Sequence, residues 1–186
     1  MTYKPRNWIP NSIYHITARG THGDDIFRDE TDFELYCSIL CSNIKYYQDK
    51  FETYCYCLMD NHIHIVMKTK DMPFGLYFAR LHGIYARYYN NKYNYQGHLF
   101  QNRYYAQLIK NDEQFLVASR YVHLNPVKAS IVQKPEEYKW SSYGMIIGVK
   151  KEKLIDSSKI LVCFRSSGNS RQEYKKFVES SMKLTK

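Results

Sequence analysis

Two strand-like runs, Glu52 to Met59 and His62 to Thr69, are separated only by Asp60 and Asn61, residues that tolerate tight turns. Short runs rich in β-branched and aromatic residues joined in this way read as an antiparallel β-hairpin. The flanking sequence extends the pattern. Upstream, the run SIYHITA from Ser12 to Ala18 reads as a strand that Gly20 and Gly23 break into a loop. Between it and the hairpin, Phe33, Leu35, Tyr36, Ile39, Leu40, Ile44 and Tyr47 recur at helical spacing, with Thr31 or Asp32 as the cap and an end near Asp49. Beyond the hairpin, Pro73 to Tyr89 reads as a second helix, a loop carrying Gly97 follows, and Arg103 to Lys110 reads as a fourth strand. The order β-α-β-β-α-β predicts an α+β domain with a ferredoxin-like (RRM-like) antiparallel sheet and helices on one face. Asn111, with Gln114 three residues on, resembles a capping box opening a third helix that Pro126 must terminate.

A chain of 186 residues is one domain at about 100–200 residues per domain. It can bury roughly 70% of its unfolded surface without disulfides or a structural metal. No apolar run approaches the roughly 20 residues of a membrane span, and Met1 to Pro10 has no apolar signal core, so a soluble cytoplasmic protein without a membrane partner is expected. The five cysteines make no C-x-x-C pair and read as free thiols, with Cys37 and Cys41 one helical turn apart and Cys55 and Cys57 on one strand face. Net charge is +9 and tyrosines number 19 against 9 phenylalanines, a balance suited to nucleic acid but equally to A+T-rich codon usage. The charge is uneven: residues 150–186 hold 10 basic and 4 acidic side chains. They read as a basic segment appended after Gly148, with a helix through Gln172 to Met182.

On the second hairpin strand, a period of two projects His62 and His64 from one face and Ile63, Ile65 and Met67 from the other. Two imidazoles about 7 Å apart along a strand can converge on one divalent cation, although most such pairs are only polar-face residues. In the third helix, Tyr121 and Asn125 are four residues apart and share a face. An Asn oxygen suits a hard cation. The bland alternative packs Tyr121 at the helix–sheet boundary and uses Asn125 as a cap.

Five runs then occur in order: Tyr14-His15-Ile16-Thr17-Ala18-Arg19-Gly20, Met59-Asp60-Asn61-His62-Ile63-His64, Gly97-His98-Leu99-Phe100-Gln101-Asn102-Arg103-Tyr104, Tyr121-Val122-His123-Leu124-Asn125-Pro126-Val127 and Trp140-Ser141-Ser142-Tyr143. Together they resemble the REP-associated tyrosine transposases, a branch of the single-tyrosine HUH transposases of bacterial insertion sequences. The resemblance, over about residues 12–147, implies an HUH endonuclease fold and a catalytic domain, taken as residues 1–148, and the shift of composition after Gly148 leaves 149–186 as a basic C-terminal extension. It implies a transposase that cleaves and rejoins hairpin-bearing single-stranded DNA, a REP-like or insertion-sequence end, through a 5′-phosphotyrosine. Tyr121 matches the nucleophile, His62 and His64 the metal-binding pair, and Asn125 the third-ligand position, where insertion-sequence relatives more often carry Gln. The cofactor implied is Mg²⁺ or Mn²⁺. Asp60 departs from relatives that carry proline or another small residue there, and reads as part of the turn. Arg19, Arg103 and Arg120 are candidate DNA-backbone contacts, with Lys175 and Lys176 for the tail. A monomer is favoured over a homodimer.

Two rival functions differ in class. A non-catalytic single-stranded nucleic-acid-binding module would use Tyr54 and Tyr56 as stacking residues on one open strand face. It leaves the coincidence of two histidines, Tyr121 and Asn125 unexplained. A zinc deaminase would need H-x-E and P-C-x-x-C, and neither occurs.

Overall fold

A computed structural model describes residues 8–165 and 168–184. Strands β1 (Ile13–Arg19), β2 (Phe51–Met59), β3 (His62–Thr69) and β4 (Tyr105–Ile109) form one antiparallel sheet in the order β2-β3-β1-β4. The expected hairpin is β2 and β3. Helix α1 (Glu30–Tyr46) connects β1 to β2, and α2 (Phe74–Tyr93) connects β3 to β4. Each crossover therefore skips one strand, as the ferredoxin-like arrangement requires.

Parity explains which face α1 and α2 cover. Tyr14, Ile16 and Ala18 of β1 and Ile63, Ile65 and Met67 of β3 are buried together with Tyr36, Leu40, Tyr77, Leu81 and Tyr85 of the two helices. The cap of α1 is Asp29 rather than Thr31 or Asp32. The Asp29 carboxylate accepts the N–H groups of Thr31 and Asp32, and Asp32 reaches back to the Asp29 N–H, so Asp32 is the first-turn partner of a capping box. The helix ends three residues before Asp49 because Gln48 and Asp49 take left-handed backbone (φ 51° and 57°).

Strand β2 breaks its own parity. A register irregularity between Thr53 and Cys55 inserts one residue against β3. Tyr54 thus lies on the opposite face from Tyr56, packed edge-on against Phe115 at 5.3 Å, and both tyrosines are buried. The expectation that they share an open stacking face fails for that reason. Cys55 and Cys57 do share a face, and all five cysteines are free thiols.

The opposite sheet face is covered in part by α3 (Asp112–Lys128), so helices on one face describes the two crossovers and not the third helix. Asn111 caps α3 by accepting the Gln114 N–H at 2.8 Å, and the Gln114 amide oxygen accepts the Lys110 N–H at 3.0 Å. Pro126 does not end the helix, which runs on to Lys128. Proline gives up only its own N–H within the last turn, its side chain is buried, and its carbonyl accepts from Ile131 at 2.9 Å. Packing here outweighs the local preference of the preceding residue.

Three further helices, α4 (Tyr143–Ile146), α5 (Ser158–Val162) and α6 (Ser170–Ser180), complete this side. Ile160, Tyr174 and Val178 join Phe115, Val122, Leu124 and Tyr143 in a second apolar core. The segment before α4 covers the outer edge of β2: the Trp140 carbonyl accepts the Leu58 N–H and the Ser142 N–H donates to the Tyr56 carbonyl, each at 3.0 Å. An edge that would otherwise recruit other strands is thereby paired. Among the described residues no helix is long and apolar enough to cross a membrane.

Candidate active site

Helix α3 leaves part of its sheet face uncovered, and an open cleft of about 1460 Å³ lies there. The register decides what lines it. Arg19 pairs with His62 and Thr17 with His64 across β1 and β3, while Thr17 pairs with Tyr105 and His15 with Gln107 across β1 and β4. All these residues have the parity that faces away from α1 and α2. Tyr121 enters from α3, and its ring centroid lies 5.4 Å from that of His64 and 5.8 Å from that of His15, edge-on to both. Helix and hairpin thus meet at His64 and Tyr121, with His62 lining the same cleft. Tyr121 is 40% exposed at the cleft, and the Lys128 ammonium lies 4.9 Å from its ring centroid.

The two hairpin imidazoles are edge-on at 4.9 Å between centroids. The Asn61 amide nitrogen donates to the Gly23 carbonyl at 3.1 Å, which turns its oxygen toward His62 Nδ1 at 2.6 Å. That oxygen can only accept, so His62 carries its proton on Nδ1 and leaves an Nε2 lone pair. Burial holds the His62 imidazole below its ordinary pKa, and the nearby Arg19 charge lowers it further. His64 is lowered to about 3, first by burial and then by His15 and His62, and burial alone lowers His15 to about 4. Neutral imidazoles at pH 7 are the form that ligates a cation.

Asn125 stands one turn beyond Tyr121 and is half-buried. Its amide nitrogen donates to the Tyr121 carbonyl at 2.8 Å, and among the described residues nothing takes its oxygen. Among the described residues no group of three or more His, Cys, Asp or Glu is arranged to hold a metal. A cation at the two histidines therefore needs oxygen ligands of another kind, which a carboxamide, water or phosphate supplies. The two neutral imidazoles fit a small divalent ion on that basis, while Asn125 is not among the residues that line the cleft.

The remaining candidates divide by position. Arg19 and Arg103 line the cleft, and the Arg19 guanidinium lies close against Gly23. Arg120 projects elsewhere, its guanidinium 4.5 Å from the Phe177 ring centroid. Lys175 pairs with Glu136 at 3.1 Å and Glu179 at 3.6 Å, and Lys176 with Glu173 at 2.7 Å, none of them at the cleft. Asp60 forms the hairpin turn, its carbonyl accepting the N–H groups of Ile26 and Phe27, and the residue also lines the cleft. Burial and then Asp25 raise its carboxyl pKa. His123, two residues after Tyr121 in sequence, is fully buried and is not among the residues that line the cleft. The residue that sequence reasoning missed is His15. Its signal was parity, since it alternates with buried Tyr14 and Ile16, but only the register brings it to His64.

The profile of the family described as transposase IS200 like matches residues 9–125. A chain of Haemophilus influenzae named a REP-associated tyrosine transposase is 26% identical over 104 residues, which is 50% of this chain and 59% of that relative. This chain thus spans less than two thirds of that relative's length. The solved structure of a REP-associated tyrosine transposase bound to a REP hairpin superposes with a TM-score of 0.67 at 15% identity, over 86% of this chain and 96% of the other. At that identity the likeness is one of fold.

Proposed function

The chain belongs to the IS200-like transposase family, and from that premise we propose that it cleaves and rejoins hairpin-bearing single-stranded DNA, with Tyr121 as the nucleophile. The observation that carries this reading is the Tyr121 ring set against His64 at the mouth of an open cleft.

The chemistry follows from the groups present. Tyr121 Oη attacks a phosphodiester phosphorus, the bond to the 3′-oxygen breaks, and that oxygen leaves as a 3′-hydroxyl. The strand stays attached through a 5′-phosphotyrosine ester. Because this ester keeps the energy of the original linkage, another 3′-hydroxyl can attack it, release the phenol and join new ends without ATP. A phenol with a reference pKa of about 10 is a weak nucleophile at neutral pH without help. His62 and His64 through Nε2, with the Asn125 oxygen, would hold Mg²⁺ or Mn²⁺. When bound, such an ion polarises the scissile phosphate and favours phenolate. Lys128 adds positive charge beside the Tyr121 ring. Arg19 and Arg103 line the same cleft and would bind the strand's phosphates. An open cleft with the nucleophile on a rigid helix suits an unpaired strand, whose backbone can turn a phosphate toward it. The hairpin partner is the one named for the solved relative of like fold.

The test is incubation with hairpin-bearing single-stranded DNA and Mg²⁺ or Mn²⁺, read by denaturing electrophoresis. A covalent protein–DNA band is expected, absent in Tyr121→Phe and strongly reduced in His62→Ala and in His64→Ala. An adduct that survives in Tyr121→Phe would remove Tyr121 from its role. DNA binding with no adduct in any metal would favour a binding module instead.

A further inference from the structure

We propose that His15 is a positioning residue, which accepts a hydrogen bond from His64 Nδ1–H and so presents the His64 Nε2 lone pair to the metal. The inference rests on the metal-centre reading above and adds a residue to it. His15 Nε2 lies 3.0 Å from His64 Nδ1. Only one hydrogen can occupy that line, so one ring donates and the other accepts. If His64 donates, its Nε2 is bare and can ligate. If His15 donates, His64 carries its proton on Nε2 and cannot ligate until the pair rearranges.

The contact between the two rings is a built one. His15 and His64 are not opposite each other: His64 faces Thr17 and His15 faces Val66. The contact is diagonal across β1 and β3, and long rings on one sheet face can make it. The rings are nearly parallel, 25° apart with centroids at 5.2 Å, so His64 cannot swing without losing that stack. His15 also meets the edge of Tyr121, and one ring thus touches both a proposed ligand and the nucleophile. His62 supplies the parallel, because Asn61 occupies its Nδ1 and leaves Nε2. His15 does for His64 what Asn61 does for His62. Metal-bound histidines generally depend on such a partner on the other ring nitrogen, which fixes tautomer and orientation. His15 is not itself a third ligand in this arrangement, since its Nε2 is committed to His64.

The experiment uses the whole chain in two measurements. Long-range ¹⁵N–¹H spectra of histidine-labelled wild-type protein, without metal, read the tautomers directly. The expected pattern is protonated Nδ1 and bare Nε2 on His64. Protonated Nε2 on His64 overturns the proposal, and this reading needs no variant to fold. Mn²⁺ titration followed by electron paramagnetic resonance then compares variants. His15→Phe, which keeps a ring but no acceptor, should weaken Mn²⁺ binding by about 10- to 100-fold, and His15→Gln, which keeps an acceptor, should recover most of that loss. Unchanged affinity in His15→Phe, or equal loss in His15→Gln, overturns the positioning role. His62→Ala separates this failure from that of the metal centre. If His62→Ala loses Mn²⁺ while His15→Phe keeps it, only the His15 role falls. If His62→Ala also leaves Mn²⁺ binding unchanged, the centre and the His15 role fall together.

Discussion

Tyr174→Phe removes a single oxygen from the joint that holds the nucleophile's helix in place. His123 of α3 is fully buried, with Nδ1 2.8 Å from the Tyr174 hydroxyl and Nε2 3.0 Å from Ser142 Oγ. The proton directions can be worked along the chain. Ser119 donates to the Leu116 carbonyl, so it accepts from Tyr174, and Tyr174 must then accept from His123 Nδ1–H. His123 is neutral, its pKa lowered to about 3 by burial, so with Nδ1 protonated its Nε2 accepts from the Ser142 hydroxyl, which has Nε2 at 3.0 Å and the Tyr56 carbonyl at 3.2 Å as its two acceptors. Ser142 Oγ in turn accepts the Tyr56 N–H at 2.8 Å, and the network runs from α6 through α3 to β2. Phenylalanine at 174 strands the His123 N–H in an apolar core and removes the donor to Ser119. One buried donor left without a partner costs about 1–3 kcal/mol, and the lost bond to Ser119 puts the sum near the upper part of that range. For a chain of this length, about 2–3 kcal/mol corresponds to a fall in Tm of about 4–12 °C. The assay is thermal and urea unfolding followed by circular dichroism, comparing wild type with Tyr174→Phe. A loss below about 0.5 kcal/mol, the usual effect of a surface change, would refute the proton order and the tethering of α3 by α6. The same joint means that deleting residues 150–186 removes core as well as charge, so the tail's charge is better tested by substituting its lysines singly.

Two further outcomes follow from single side chains. His82 stacks on Phe100 at 4.0 Å and shares a hydrogen bond with Tyr36, and burial lowers its pKa to about 3. The unfolded chain, with a histidine near 6.5, takes the proton first, so the stability from neutral His82 is present above about pH 6.5 and lost as pH falls toward 3, at up to about 1.4 kcal/mol per unit. His82→Gln should flatten the fall in urea midpoint between pH 6 and pH 4, and parallel profiles would contradict this. Arg103→Ala should weaken single-stranded DNA binding and lower the salt slope by about 0.7 for one lost phosphate contact, whereas Arg120→Ala should leave the slope unchanged. Equal slopes in both variants would show that the cleft does not hold the strand's backbone.

What was legible in the sequence was parity and period; what was not was register and long-range closure. Alternation alone placed His62 and His64 on one face and Ile63, Ile65 and Met67 on the other, and the i,i+4 rule alone put Tyr121 and Asn125 on one side of a helix. These are local properties, fixed by backbone geometry. That Tyr121 meets His64 depends on α3 crossing the sheet, and that His15 meets His64 depends on β1 lying between β3 and β4. No window of sequence contains that information. Parity also misleads where the backbone adds a residue: the irregularity after Thr53 sends Tyr54 to the α3 side while Tyr56 stays with α1 and α2. The stacking-module reading depended on those two rings sharing a face, so one inserted residue removes its platform. Likewise, the burial of Pro126 overrides the local rule that would end α3 before it, and the charge of the C-terminal segment conceals Ile160, Tyr174 and Val178, whose burial is visible only once α5 and α6 are placed. The site is assembled from pieces that are each locally specified, and its specificity as a site comes from the strand order that brings them together. A one-residue slip of β1 against β3 would turn His15 and Arg19 to the apolar face and bury Tyr14, Ile16 and Ala18 under nothing. The apolar parity that stabilises the core is therefore the same constraint that holds His15 against His64 and Arg19 against His62.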